Sequence, residues 1–211
     1  MTDAAGPLPG PDPVAAEDRA RANFYALLAR LYGAAPDASL LSTIAAADEL
    51  PAVGEGAARD FAASWRALIA QSAATDEQAA AEEYQRLFIG VGRSEVSLHA
   101  SGYIGGAGSS ALAELRGALS RLGLGRREGV GVYEDHLAAI CETMRVLIGG
   151  APGIEPRSIA QQREFFATYL APWAESCCNA IRNSSVANYY HRVAEFTQFF
   201  VAIERDSFAI D

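Results

Sequence analysis

EDHLAAICETMRVLIGG, residues 134–150, is the stretch on which the fold turns. Leu137, Ile140, Cys141, Met144, Leu147 and Ile148 recur at three- and four-residue steps, which is one face of an α-helix. Gly149, Gly150 and Pro152 stop the pattern. The spacing predicts a helix over about 134–148 that buries this stripe, with Glu134 and Asp135 in a first turn where the helix dipole favours negative charge.

The same period extends in both directions. Phe24, Leu27, Leu28 and Leu31 share a face of a helix over 14–32. A short helix opens at Asp37, a good N-cap, and stops before Pro51. Phe61, Trp65, Leu68 and Ile69 mark a third. A fourth opens with a capping box at Thr75–Gln78 and ends with Tyr84, Leu87 and Phe88 on one face before Gly90. Leu112, Leu115, Leu119 and Leu122 give a fifth. Beyond the decisive stretch, a helix starting near Pro156 carries Ile159, Phe166, Tyr169 and Leu170. Pro172 separates it from a short helix over 173–182. Ser184 or Ser185 caps the last helix, with Val186, Tyr189, Tyr190, Val193, Phe196 and Phe200 inward.

No alternating strand pattern, heptad seam or repeat appears. The fold class is all-α: a globular bundle of about eight or nine helices. Residues 90–110, with six glycines and no helical period, are expected to form a long glycine-rich loop. Residues 1–13, with four prolines, are expected to be a disordered leader, and 14–211 a single all-helical domain.

Composition narrows the function. The chain has 211 residues, half of them apolar, so it can bury a core. It has 17 basic residues against 26 acidic ones, a net charge of −9, which disfavours nucleic acid as a partner. All 17 basic residues are Arg. The absence of Lys removes Schiff-base chemistry, lysine general bases and the Walker lysine. Ala occupies 43 positions and favours helix. No run of 18 apolar residues suggests a membrane span. Cys141, Cys177 and Cys178 form no C-x-x-C, which fits a reducing compartment, and the N-terminus lacks a secretory pattern, so the expectation is cytoplasmic.

The chemistry-bearing residues are few. His99, His136 and His191 lack metal-ligand spacing, so no metal site is expected. A Ser101–His136–Asp135 triad fails because Asp135 and His136, as neighbours on a helix, diverge by about 100°. Gly102 to Gly108 has no preceding strand, so a dinucleotide loop lacks its context. Cys141 lies on the apolar stripe and reads as an inert buried thiol. Cys177 and Cys178, being adjacent, are not expected to face the core together. Tyr84, Leu87 and Phe88 read first as core, but beside a glycine-rich loop they are candidates to line a peptide groove. Glu134 and Asp135, next to His136, are candidates to receive a cationic ligand.

Five segments together resemble the TorD/DmsD-type chaperones, relatives of the NarJ group. They are Glu83-Tyr84-Gln85-Arg86-Leu87-Phe88-Ile89-Gly90, Ser101-Gly102-Tyr103, Glu134-Asp135-His136-Leu137, and a C-terminal pair, Tyr169-Leu170-Ala171-Pro172-Trp173 and Asn188-Tyr189-Tyr190-His191-Arg192. The prolines usual in the family's loop are missing after Gly90 and before Asp135. The resemblance implies an all-α chaperone domain with no enzyme activity and no cofactor of its own. It implies partners too: the apo catalytic subunit of a molybdoenzyme, whose molybdenum cofactor (molybdopterin guanine dinucleotide) is inserted later, and its twin-arginine signal peptide, with export delayed until assembly. Weak nucleotide binding and a monomer or homodimer are also consistent with it. The implied client-binding residues are Tyr84, Leu87, Phe88, Gly90, Ser101, Tyr103, Glu134, Asp135 and His136. The competing expectation is a ligand-sensing or regulatory domain, with Tyr84, Phe88 and Tyr103 lining a small-molecule pocket.

Overall fold

A computed structural model describes residues 15–51, 56–90, 94–104, 108–125 and 133–210. The expected leader lies outside them, as do parts of the expected glycine-rich loop at 91–93 and 105–107. Among the described residues there are nine α-helices and no strand, only two isolated bridges. The helices are α1 (Ala16–Gly33), α2 (Ala38–Ala45), α3 (Ala57–Ala74), α4 (Glu77–Tyr84), α5 (Gly108–Arg121), α6 (Leu137–Gly149), α7 (Ile159–Phe165), α8 (Ala171–Arg182) and α9 (Tyr189–Ile210). The protein is an all-α bundle.

Helix α9, the longest, lies between α3 and α8, and α1 lies along α6. The stripe from Leu137 to Ile148 is buried throughout, as its period requires. On α1 the buried face is turned toward Tyr25, Leu28, Leu31 and Tyr32, while Phe24 and Leu27 are only partly covered. The two tyrosines can be fully buried because their hydroxyls are satisfied. Tyr25 donates to Glu204 Oε2 at 3.0 Å, and Tyr32 shares a hydrogen bond of 2.9 Å with Thr197 Oγ1. Phe24, Phe61 and Phe196 fill the seam where α1, α3 and α9 meet, with ring centroids 5.2 to 5.5 Å apart.

Several helix boundaries differ from the sequence reading, each for a physical reason. Thr75 does not cap α4; its hydroxyl donates to the Gln71 carbonyl and closes α3. Asp76 is the cap, accepting the Ala79 amide at 2.8 Å. The reciprocal capping box belongs to Ser158 and Gln161 at the head of α7. Ile159, expected inward, is exposed. Pro172 does not leave a gap between α7 and α8. A π-helical turn over Phe166–Leu170 carries α7 directly into α8, with Pro172 in the first turn of α8. The wider turn places the missing proline N–H where a helix start leaves it unneeded. The Trp173 indole donates to the Tyr169 carbonyl at 2.7 Å beside it.

Cys177 and Cys178 are both fully buried, against expectation. Helix α8 is covered on two sides, so Trp173, Ala174, Cys177, Cys178 and Ile181 form a broad buried face. Burial pushes all three thiols up, Cys177 to about 12, which leaves them as thiols at neutral pH. No described helix is long and apolar enough to cross a membrane.

Candidate functional site

The site is built where two non-helical segments meet, Ser94–Ile104 and Tyr133–His136. The first segment is pinned as an extended strap. The Val96 amide donates to the Leu87 carbonyl at 2.9 Å, and the Leu98 carbonyl accepts the Leu137 amide at 2.8 Å. Val96 and Leu98 are buried beneath it. His99 and His136 form an antiparallel bridge, and the Ala100 amide donates to the Asp135 carbonyl at 3.0 Å. A short 3-10 turn follows over Ala100–Gly102. A side chain on Gly102 would press against Ser97, with Cβ only 2.8 and 2.9 Å from Oγ and Cβ, so the turn needs glycine there.

Helix α6 starts at Leu137, three residues later than the sequence pattern suggests. Glu134, Asp135 and His136 therefore precede the helix, and the 100° divergence between neighbours on a helix does not apply to them. His136 is the N-cap: its Nδ1 accepts the Ala138 amide at 3.1 Å. This requires a neutral imidazole with Nδ1 unprotonated. The Asp135 carboxylate reaches across to the strap. Oδ1 is 3.0 Å from His99 Nδ1, and Oδ2 accepts the Ser101 amide at 3.3 Å. Burial pushes the Asp135 carboxyl up, but the bonds from His99 and Ser101 outweigh it and hold the group at about 2.

The rings of His99 and His136 meet edge to face at 4.9 Å, and Tyr133 lies 6.3 Å from His99. His136 is only 6% exposed, whereas Tyr133 is 55% exposed. The Glu134 carboxylate accepts from Arg116 Nη2 on α5 at 3.1 Å. At the surface the cluster thus presents the exposed Tyr133, a partly exposed His99 and Glu134, and the exposed Ser101 and Ile104.

The remaining candidates lie beneath. Leu87 is fully buried and Tyr84 and Phe88 nearly so. The Tyr84 hydroxyl donates to the Tyr32 carbonyl at 3.1 Å, and Phe88 packs on Tyr190 at 4.9 Å. In place of a surface groove, these three form the floor under the strap. They end in a π-helical turn over Gln85–Ile89, closed by Gly90 at φ +60°. Tyr103 stacks on the buried Trp173 at 5.8 Å and donates to the Ser97 carbonyl at 2.7 Å.

Two participants were not singled out from sequence. His99 had no visible partner, because Asp135 is 36 residues away. Glu83, at the head of the Glu83–Gly90 segment, caps α9 from another helix. Its buried carboxylate accepts the amides of Asn188, Tyr189 and Tyr190 at 2.8 to 3.0 Å. Ser184, the expected cap, instead accepts the Val186 amide at 3.1 Å within the preceding turn.

The buried imidazole makes the site acid-sensitive. Burial, aided by the nearby His99, pushes His136 down to about 4, against the opposing pull of Asp135. In the unfolded chain it titrates near 6.5, so between pH 6.5 and 4 only the unfolded state takes up this proton. The stabilisation is complete above pH 6.5 and is lost progressively as pH falls to about 4, up to about 3 kcal/mol in all. Asp135 adds its own loss only below about pH 4, as the pH falls from its unfolded value toward 2. His136→Asn keeps a capping oxygen without titrating. Urea midpoints of the two proteins should therefore diverge between pH 7 and 4.5, with the variant less acid-labile.

Among the described residues, no three His, Cys, Asp or Glu side chains converge to hold a metal ion. A family model described as nitrate reductase delta subunit matches residues 54–179, more than half of the chain, spanning both segments of the site. No curated protein matches the chain.

Proposed function

The chain belongs to the nitrate reductase delta subunit family, whose members are chaperones of molybdoenzyme maturation and not enzymes, and from that premise we propose that it holds the cytoplasmic precursor of a molybdenum-cofactor oxidoreductase at the strap. The bound element is the client's twin-arginine signal peptide. Its occupation delays export until the catalytic subunit has received its cofactor. The observation that carries this reading is the junction of strap and α6, where a partly exposed carboxylate, Glu134, and its exposed neighbour Tyr133 meet the strap that carries a partly exposed His99 and an exposed Ile104. A peptide with adjacent arginines followed by apolar residues matches that order of chemistry: carboxylate for guanidinium, rings and an aliphatic side chain for the apolar run.

The roles divide by depth. Glu134 takes an arginine. Tyr133, His99, Ser101 and Ile104 contact the peptide. Asp135 and His136 do not donate their own surface; they fix His99 and the strap. Tyr84, Leu87, Phe88, Gly90 and Tyr103 hold the floor on which the strap rests. The net charge of −9 adds long-range attraction for a basic segment.

Fluorescence anisotropy with a labelled peptide of two adjacent arginines and an apolar stretch tests the assignment. Glu134→Gln and Tyr133→Ala should each weaken binding by about 1–2 kcal/mol, roughly tenfold. Unchanged affinity in both variants, with circular dichroism showing the fold intact, removes the site from this face.

A further inference from the structure

Helices α8 and α9 enclose a cavity of about 240 Å³ between them. Phe199, Val201 and Ala202 on α9 give it an apolar wall. Its polar groups stand in two pairs. Arg182, in the last turn of α8, donates through Nη1 to Gln198 Oε1 on α9 at 2.6 Å. Two helical turns away, on α8 and α9 respectively, stand Glu175 and Arg205, roughly 10 Å from the first pair by the helical rise.

In a chain of net charge −9 a guanidinium has carboxylates to choose from. Arg21, Arg66, Arg116, Arg145 and Arg192 are all ion-paired. Among the described residues neither Arg182 nor Arg205 is, although they share this cavity with Glu175. The C-terminal end of α8 favours a cation at Arg182. Arg205 has no such reason: it precedes the last turn of α9, and its helical neighbours Val201, Ala202, Phe208 and Ala209 are uncharged. Arg182 Nε is shielded from water and has no acceptor, the one such buried side-chain nitrogen or oxygen among the described residues. A guanidinium carries five donors, and Arg182 makes only its bond to Gln198 among the described residues. Gln198 spends its oxygen on that bond, so its amide NH₂ also faces outward as a donor. This end of the cavity is rich in donors and short of an oxygen to receive them.

We propose that the cavity between α8 and α9 binds a carboxylate borne on a short apolar group, the carboxylate against Arg182 and Gln198 and the apolar group on Phe199, Val201 and Ala202. The planar guanidinium fork matches a carboxylate. The volume lies below the roughly 300–1,000 Å³ of sites that take drug-sized ligands, so a nucleotide exceeds it. Glu175 at the far end disfavours a second negative charge. Two sources carry this chemistry: a free short-chain organic acid, and the C-terminal residue of a protein chain, whose preceding N–H and C=O groups Glu175 and Arg205 suit. The site shares no residue with the strap and stands independently of the reading above.

Calorimetry with the full chain tests it. The probes are hexanoate, the peptide acetyl-Ala-Ala-Leu with a free carboxylate, the same peptide amidated, and inorganic phosphate. Both carboxylates should bind at millimolar concentration or below, and the amidated peptide should bind about tenfold or more weaker than the free one, as loss of charge-assisted hydrogen bonds implies. Arg182→Gln should cost about the same factor. Ala202→Met, which fills the cavity from a half-buried position, should abolish binding, and the exposed Arg205→Gln should weaken the peptide more than hexanoate. Circular dichroism checks that each variant is folded. Tighter binding of the peptide than of hexanoate assigns a protein C-terminus as the ligand, and the reverse assigns a free acid; either supports the site. No binding of either carboxylate overturns it. So does equal binding of the amidated peptide, equal binding of phosphate, or affinity unchanged in both Ala202→Met and Arg205→Gln.

Discussion

Glu83→Ala should lower the stability of the folded chain by about 4–5 kcal/mol, read as a fall in urea midpoint at unchanged slope. Three amides at the head of α9 donate to this one carboxylate, at 2.9, 3.0 and 2.8 Å. A helix start leaves its first amides without intrahelical partners, and here the terminus is buried with Tyr189 and Tyr190. Each buried amide left unpaired costs about 1–3 kcal/mol, and the helix dipole loses its anion as well. Partial entry of water keeps the total below the plain sum. Glu83→Gln retains one good acceptor and should cost about half as much. A loss under about 1 kcal/mol for Glu83→Ala would mean that α9 finds its caps elsewhere.

The consequence reaches the site. Glu83 and Tyr84 end α4, and the π-helical turn that follows delivers the Leu87 carbonyl to the strap at Val96. The head of α9 supplies Tyr190, on which Tyr84 and Phe88 pack. Loosening α9 therefore loosens the floor of the strap. The sequence segments that carry the resemblance form one connected scaffold, and the strap and Tyr133–His136 lie at its surface.

What could be read from sequence follows the range of the interaction that sets it. The stripe on α6 and the cap at Asp37 are local, and both appear as the pattern implies. The helix over 173–182 was legible, but its continuity with α7 was not, because a π-helical turn has no simple sequence period. The start of α6 was misplaced because Glu134 and Asp135 suit a first turn by charge, while the backbone they occupy is set by the bridge to His99. The pairing of Asp135 with His99 joins residues 36 apart, and the capping of Tyr189 by Glu83 joins residues 106 apart. Neither distance leaves a trace in periodicity. The spacing of Tyr84, Leu87 and Phe88 fits both core and groove, and local periodicity has no means to separate the two.

The second large effect is expected at Glu204, where Glu204→Ala should cost about 3–5 kcal/mol of folding stability. The carboxylate is 1% exposed and meets Arg21 in a two-point fork, Nε to Oε1 at 2.7 Å and Nη2 to Oε2 at 3.0 Å. Arg21 also donates to Asp18 at 2.9 Å and to Gln162 at 3.2 Å, and lies 5.1 Å from the Phe208 ring. One guanidinium thus ties α1, α7 and α9 together. Burial lowers the Arg21 pKa, but the Glu204 hydrogen bond and charge outweigh it and hold the group above its ordinary value. Removing Glu204 takes that support away, yet the guanidinium stays charged because its intrinsic basicity lies far above neutral pH. The penalty of Glu204→Ala is that stranded charge, together with the orphaned Tyr25 hydroxyl. It is a different quantity from the net worth of the pair. Replacing both ends at once, Arg21→Met with Glu204→Leu, removes the charge along with its partner and should recover most of the loss, because desolvating two ions offsets much of their attraction. Chemical denaturation of the two single variants and the double variant measures the coupling directly. A double variant as unstable as Glu204→Ala would show that the pair is a net stabiliser, and that the three helices depend on its geometry beyond the neutrality of the space between them.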